Sequence, residues 1–525
     1  MSMPGRANTP GSRSLLARNT ALNLLGEVVP LAVGVMAIPP IIAGLGNARF
    51  GILSLLWVLL WYFSIFDLGL GRAVTKHVSE CLGKNETGRI PRIFWTAVAA
   101  QAAISCAALL LFILLVPLLA GMLPAVPAEL KRETEQSLYL LALFIPVIMV
   151  TSSCKGMMEA AQRFDVINAI KIPSNLSVFL LSWIGISLGF GLPGIIFLLL
   201  LSRALVLAAY FHYDFRVYPG LRDDLSVGAS TLRSLLSFGG WSTVTTLASP
   251  VLVYAERFII IYLLSAAALA YYAAPAEIVL RLSIIPLSIS TALFPAFSHS
   301  GAADRARVAA LFSRPLKYIL CVVAPLTITL IAFGEELLLL WLGKDYAREG
   351  LLAAQILAAG VFFNALAYVP FTAVQGLGRP DLKARLDLFL VPLFLALSVL
   401  MVKPWGLAGA ALARLVITLL DLGVLMRMAG VTTGLSLKEM LPPAFFRGVF
   451  LALALAAAMA AAKFLAAPAW LVLLTAGLSL AAYAAVFFAA VMDALDRSVL
   501  RGLIAGDGAA VHPARPKSPP DATAR

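Results

Sequence analysis

Charge is scarce in this chain. Only 13% of its 525 residues are Asp, Glu, Lys or Arg, while 61% are hydrophobic; soluble domains carry about a quarter charged residues. That density cannot cover a water-facing surface. A soluble enzyme, a disordered chain and a nucleic-acid binder are excluded, although the formal net charge is +13. Cysteine and histidine are also scarce, at four each. Cys81 sits in a basic loop, and Cys106, Cys154 and Cys321 sit in apolar runs. None has metal-ligand spacing and no disulfide framework is expected. His77, His299 and His512 lie between apolar runs and His212 at the end of one, so no histidine is deep in a run. No Gly-x4-Gly-Lys-Ser/Thr loop occurs, so no bound nucleotide drives the protein. Gly69-Leu70-Gly71 follows no strand pattern and is not a dinucleotide fingerprint. No cofactor or resident metal is expected.

What the chain has is long apolar runs. About 20 apolar residues make a helix that crosses a bilayer. Fourteen candidate spans follow, near 22–43, 50–71, 93–119, 137–157, 173–190, 193–213, 237–263, 269–292, 316–342, 351–375, 386–402, 406–428, 444–464 and 470–492. Prolines such as Pro30, Pro146, Pro325 and Pro392 lie inside them, which membrane helices tolerate. The runs lack the alternation of an outer-membrane barrel. The expected fold is an all-α polytopic membrane protein.

Placing the forty basic residues gives orientation. With a cytoplasmic N-terminus, 29 Lys and Arg fall in inside segments and 7 in outside loops, and Arg203, Arg257, Arg281 and Arg414 fall within spans. That asymmetry puts both ends inside and explains the net charge as topology. The basic N-terminus (Arg6, Arg13, Arg18) precedes an apolar run long enough to read as a retained helix, not a cleaved signal. The longest outside loop, near 120–136, carries Glu129, Glu133 and Glu135, so no external soluble domain is inserted. Residues from about 505 onward are rich in Pro, Ala and Gly and are expected to be disordered.

A faint repeat runs through the chain. Gly191-Leu192-Pro193-Gly194 recurs as Gly406-Leu407-Ala408-Gly409, 215 positions on, and Arg163-Phe164-Asp165 as Arg379-Pro380-Asp381, 216 on. The spans starting near 22 and 237 share the same offset. A six-helix unit returns to its starting side, so two copies make a parallel repeat about an axis along the membrane normal. The organisation expected is a segment 1–21, an N-lobe 22–213, a linker 214–236, a C-lobe 237–428, two further helices within 429–492, and a tail 493–525.

Ionisable groups in spans cost about 2.5–3.5 kcal/mol on insertion scales and are functional candidates. Glu27 lies a turn into the first span, where wetting at the interface is the plain alternative. Asp67 stands near the end of the second and has Arg72 as a local partner in reach. Glu256 and Arg257 are adjacent and point about 100° apart. Glu277 and Arg281 are four apart and share a face, as a self-neutralising pair or as cavity groups. Arg414 and Asp421, seven apart, also share a face; a structural pair between helices is the alternative. Arg257, Arg281 and Arg414 would suit an anionic head group such as phosphate, because guanidinium offers a planar fork of donors. Glu27, Asp67, Arg72, Glu256, Glu277 and Asp421 are the coupling and gating candidates.

These residues resemble a known family. Phe50-Gly51-Ile52-Leu53-Ser54 followed by Phe66-Asp67-Leu68-Gly69-Leu70-Gly71-Arg72-Ala73 looks like the second-span signature of bacterial polysaccharide (O-antigen-type, Wzx-like) flippases. Gly156 to Phe164, Tyr271 to Glu277, Leu293 to Ser298, Trp341-Leu342-Gly343 and Gln375 to Asp381 fit the same pattern, from about residue 15 to 430. Glu256-Arg257 stands where many relatives show Asp-Arg, which keeps the charge. The resemblance implies a multidrug/oligosaccharidyl-lipid/polysaccharide exporter fold: two six-helix lobes around a V-shaped cavity, with two extra C-terminal helices. It implies transport of a polyprenyl-pyrophosphate-linked oligosaccharide across the bacterial plasma membrane, with the bilayer and polysaccharide polymerase or assembly proteins as partners. A proton or a sodium ion is the coupling ion to be expected. Lipid II flippases and cation-coupled multidrug exporters compete within the same superfamily. A glycan polymerase or ligase would need a larger external loop.

Overall fold

The third long helix shows how this sequence sorts its faces. In the computed structural model, Leu110, Leu111, Leu114 and Leu118 are exposed. Ala97, Gln101, Ser105, Ala108, Phe112 and Val116 of the same helix are buried. Leucines at helical spacing face the hydrocarbon, and small or polar residues face neighbouring helices, where close approach gives the packing energy.

The structure describes residues 10–63, 69–121, 123, 126–300, 305–464, 469–493 and 497. Its helices in order are α1 (Pro10–Tyr62), α2 (Leu70–Gly83), α3 (Ile90–Gly121), α4 (Ala128–Ala142), α5 (Phe144–Ala160), α6 (Phe164–Ser187), α7 (Leu192–Val217), α8 (Ala229–Leu263) and α9 (Ala266–Arg281). There follow α10 (Ile284–Ser300), α11 (Arg305–Ala332), α12 (Gly334–Trp341), α13 (Lys344–Gly376), α14 (Pro380–Thr433), α15 (Leu437–Met440), α16 (Pro443–Phe464) and α17 (Ala469–Val486). No strand occurs among the described residues. The chain is an all-α, multi-pass membrane protein.

Among the described residues, eleven stretches are long and apolar enough to span a bilayer, against the fourteen expected. Three places account for the difference. Residues 22–43 and 50–71 fall largely on α1, which is broken at Gly46 (φ 76°, ψ 164°). Residues 386–402 and 406–428 fall on α14, broken at Gly406 (φ 54°, ψ −131°). Residues 237–263 fall on α8, whose side chains at 238–250 lie outside the description. Both breaks need positive φ, which glycine adopts without steric cost. At the second the chain reverses: a Cβ on Gly409 would strike the backbone of Met401 and Val402.

Some expected loops are helical. Glu129, Glu133 and Glu135 lie on α4, with Glu133 ion-paired to Arg49 (2.9 Å) and accepting the Leu192 amide (2.8 Å). The expected linker 214–236 narrows to 218–228, because α7 runs to Val217 and α8 starts at Ala229. The four cysteines are free. Cys106 is exposed, whereas Cys81 and Cys154 are buried. The expected disordered tail lies outside the described residues.

The repeat reappears as identical turn geometry. After α5, the amides of Ala161, Gln162 and Arg163 bond to the carbonyls of Met157, Glu159 and Met158. After α13, the amides of Leu377, Gly378 and Arg379 bond to those of Ala373, Gln375 and Val374, each pair 216 residues on. Gln162 and Gly378 both take positive φ, 56° and 81°. The next arginine then grips the aspartate two residues on with both arms of its guanidinium, Arg163 to Asp165 and Arg379 to Asp381.

The start of α8 packs on α2 and α3, with Ser234 against His77 (3.3 Å), and the larger contact between the lobes lies at the opposite end. There, α1 packs on α9, and one hydrophobic core runs from Phe50 and Leu53 through Ile195 to Leu269, Tyr272 and Ala410. A Cβ on Gly51 would collide with the carbonyl oxygen of Ala266, 215 residues later. Repeat-related residues that touch lie on either side of a twofold axis. Hydrogen bonds close the same end: Asn47 Nδ2 to the Tyr271 hydroxyl (3.0 Å), the Tyr346 hydroxyl to Asn47 Oδ1 (3.1 Å), and Trp341 Nε1 to the Val35 carbonyl (2.7 Å). Away from this end the cores are separate: one runs from Leu70 to Tyr210 and takes in Leu235 of α8, the other from Phe297 to Met459. The last two long helices belong to the second core; Gly448 of α16 lies against Leu320 and Phe487.

Candidate functional site

Glu256 and Arg257 diverge on α8, as their 100° offset requires, and each finds a different partner. Glu256 accepts from Arg414 on α14 and from the Tyr272 hydroxyl on α9 (3.2 Å). Arg414 also donates to the Val253 carbonyl. Arg257 donates to Glu277 on α9 (2.9 Å) and lies 5.2 Å from the Tyr254 ring centre. Glu256 and Arg257 are each about 1% exposed. Four charges thus tie α8, α9 and α14 together inside one lobe. A buried charge is tolerable only when paired and hydrogen-bonded, so this is first an internal strut.

Arg281 differs. It closes the last turn of α9, where the helix dipole favours a cation. It stands 4.0 Å from Glu277, which is nearer to Arg257, and its side chain keeps 31% exposure. It lines a cavity of about 670 Å³ between the lobes, together with Lys155, Lys171, Arg203 and Glu277. Lys155 on α5 is steadied by Glu159 (3.0 Å), which itself accepts from Thr75. Arg203 on α7 donates to Ser174 on α6. Trp57, Phe179, Tyr210 and Tyr254 complete the wall with aliphatic residues. With Lys155 paired to Glu159, Lys171, Arg203 and Arg281 still outnumber Glu277, and they come from both lobes. In a low-dielectric chamber such a surplus attracts an anion strongly.

A second cavity of about 490 Å³ lies within the C-terminal lobe. It meets the first at Tyr254 and Leu280, which line both. Lys383 bridges Asp387 (2.8 Å) and Asp421 (2.7 Å) at its wall, and Arg414 reaches it from the strut. Charge here is balanced.

The expected site residues therefore separate. Arg281 and Glu277 line the central cavity, Arg414 and Asp421 the second one, and Arg257 and Glu256 are buried in the strut. Asp421 pairs with Lys383, not with Arg414. Arg72 is exposed at the start of α2. Asp67 and the side chain of Glu27 lie outside the described residues. Sequence reading missed Lys155 and Lys171 as cavity residues, because both counted as inside-loop charges that fix orientation. Arg203 showed as a cation within a span, but nothing local set it apart. Among the described residues, no cluster of three or more His, Cys, Asp or Glu is arranged to hold a metal.

Known proteins resemble this chain in sequence and in fold. A protein of Shigella flexneri, named as a candidate O-antigen transporter, is 27% identical over 415 residues, covering 77% of this chain and 96% of its own. A solved lipid II flippase, MurJ, in its inward closed conformation superposes with TM-score 0.71 at 12% identity, covering 90% of this chain and 99% of that one. The inward-facing conformation of a multidrug resistance MATE family transporter of the MOP superfamily gives TM-score 0.67 at 14% identity, over 77% and 96%. At such identities the two structures speak for the fold alone. Residues 45–349, more than half of the sequence, match a family described as polysaccharide biosynthesis protein, and the chain belongs to that family.

Proposed function

We propose that this protein is a flippase that carries a polyprenyl-pyrophosphate-linked oligosaccharide across the bacterial inner membrane. The observation that carries this reading is the central cavity, where Lys171, Arg203 and Arg281 outnumber Glu277. A pyrophosphate brings two or three negative charges to one place, and cations from both lobes answer them. Family membership and the O-antigen name of the Shigella relative support a glycan cargo.

The Lys/Arg asymmetry gives the orientation, with both termini cytoplasmic. The end joined at Gly51 and Ala266 then faces outward, and the cavity opens to the cytoplasm. The working units are an N-lobe near 22–213 and a C-lobe near 237–428, with 214–236 between them and 429–492 behind the second. The head group enters between the lobes while its lipid tail stays in the bilayer, and the lobes rock about the contact of α1 with α9. A substrate drives this only by binding one state more tightly than the other. A proton or sodium ion taken up by one of the acidic groups resets the empty cavity. Polymerase and assembly proteins would receive the product outside.

The test is a liposome assay with purified protein, following a fluorescent lipid-linked oligosaccharide and, in parallel, a cationic dye. Movement of the first alone is expected. Movement of the dye alone would replace this reading by cation-coupled drug export, which the cationic cavity disfavours.

A further inference from the structure

The cavity inside the C-terminal lobe differs chemically from the central one, which it adjoins at Tyr254 and Leu280. Its charges cancel: Lys383 is shared between Asp387 and Asp421, and Arg414 is held by Glu256. It offers no surplus cation to a phosphate and no surplus acid to a cationic drug. Nor is it a slot for a hydrocarbon chain, because polar groups recur around its wall.

Several of those groups have no protein partner among the described residues. The amides of Asn364 and Gln375, the hydroxyls of Ser283 and Thr418, and the Tyr368 hydroxyl line the cavity and make no hydrogen bond to another described side chain or backbone group. All five residues are half-buried. An amide presents donors and an acceptor, and a hydroxyl is both at once. Aromatic faces stand among them: Tyr254 at the junction, and Phe371 in edge contact with Tyr368, ring centres 6.4 Å apart. Unpartnered donors and acceptors beside aromatic faces, in a charge-balanced hollow, match a sugar ring. Such a ring has a rim of hydroxyls and flat C–H faces. The volume of about 490 Å³ lies within the range of small-molecule sites.

We propose that this cavity is a carbohydrate subsite. It holds sugar units of the substrate while the pyrophosphate lies against the cations of the central cavity. The inference rests on the flippase reading above and adds the direction in which the head group lies. Tyr254 and Leu280 line both cavities, which places the two within reach of one linear ligand. The N-terminal lobe then supplies most of the grip common to all such carriers, and the C-terminal lobe supplies discrimination between glycans.

The experiment measures binding to the full chain in lipid nanodiscs. One probe is sugar-free polyprenyl pyrophosphate; the other is the lipid-linked oligosaccharide pool extracted from cells that make this protein. The double variant Asn364→Ala with Tyr368→Ala is expected to bind the sugar-bearing probe about tenfold more weakly, since it removes two hydrogen-bonding groups from the wall. Its affinity for the sugar-free probe should stay within about twofold, which also shows that the variant is folded. Gln375→Ala gives an independent reading of the same kind. Lys171→Ala with Arg203→Ala should weaken both probes. Equal loss for both probes in the C-lobe variants, or no loss for the sugar-bearing one, overturns the subsite. A wild-type protein that binds both probes equally well also overturns it but leaves the flippase reading standing. Failure of the wild type to bind either probe brings down both.

Discussion

Glu256 and Arg414 show how sharply environment decides what a charge does. Glu256 is about 1% exposed, and its partners are Arg414 and Tyr272. Removing one member of a buried pair leaves the other uncompensated, at about 3–5 kcal/mol, whereas replacing both with apolar residues is often neutral. Arg414→Ala is therefore expected to lower the thermal midpoint in detergent sharply. The double replacement Glu256→Leu with Arg414→Leu should recover most of the loss. If the double variant is as unstable as the single, the pair is not the strut described. Arg281→Ala should do the reverse: melting close to wild type, with glycan export reduced at equal protein level. Unchanged export would remove Arg281 from the mechanism.

At the scale of elements, the informative contact is α1 against α9. Gly51 lets the two backbones touch at Ala266, and no larger residue fits without moving one helix. Gly51→Ala is expected to cost the closed end about 1–3 kcal/mol, the usual range for overpacking. Distances between spin labels on α1 and α9 should lengthen and broaden. An unchanged distribution would mean that the contact does not hold the lobes. The family-like stretch around Phe50 and Gly51 was legible in sequence, but its reason was not. A glycine that permits a turn and a glycine that permits close approach read alike until the partner helix is in place.

For the whole molecule, the shared core at one end and the separate cores at the other, bridged by the start of α8, make a V that must change shape to work. Asn47 and Tyr271 meet across the joined end. With Cys81, Cys106, Cys154 and Cys321 replaced, cysteines at 47 and 271 bridged by a reducible bifunctional reagent should arrest transport, and reductant should restore it. Transport that survives bridging would exclude opening at this end. The repeat that builds the V was visible as short matches at offsets of 215 and 216. It was visible because turn residues such as Arg163, Asp165, Arg379 and Asp381 must be particular residues, whereas lipid-facing leucines are interchangeable.

Solvent, helices and repeat are written locally along the chain. Each follows from local quantities: apolar run length, Lys and Arg placement, and residues required at turns. The sequence also flagged Arg257, Arg281 and Arg414 as charges within apolar runs. Only the tertiary structure decided that Arg257 is spent on Glu277, that Arg414 is spent on Glu256 from 158 residues away, and that Lys155, Lys171 and Arg203 join Arg281 around one cavity. The physical reason is that a charge in a membrane protein is defined by what faces it. That depends on how helices distant in sequence cross, which no window along the chain contains.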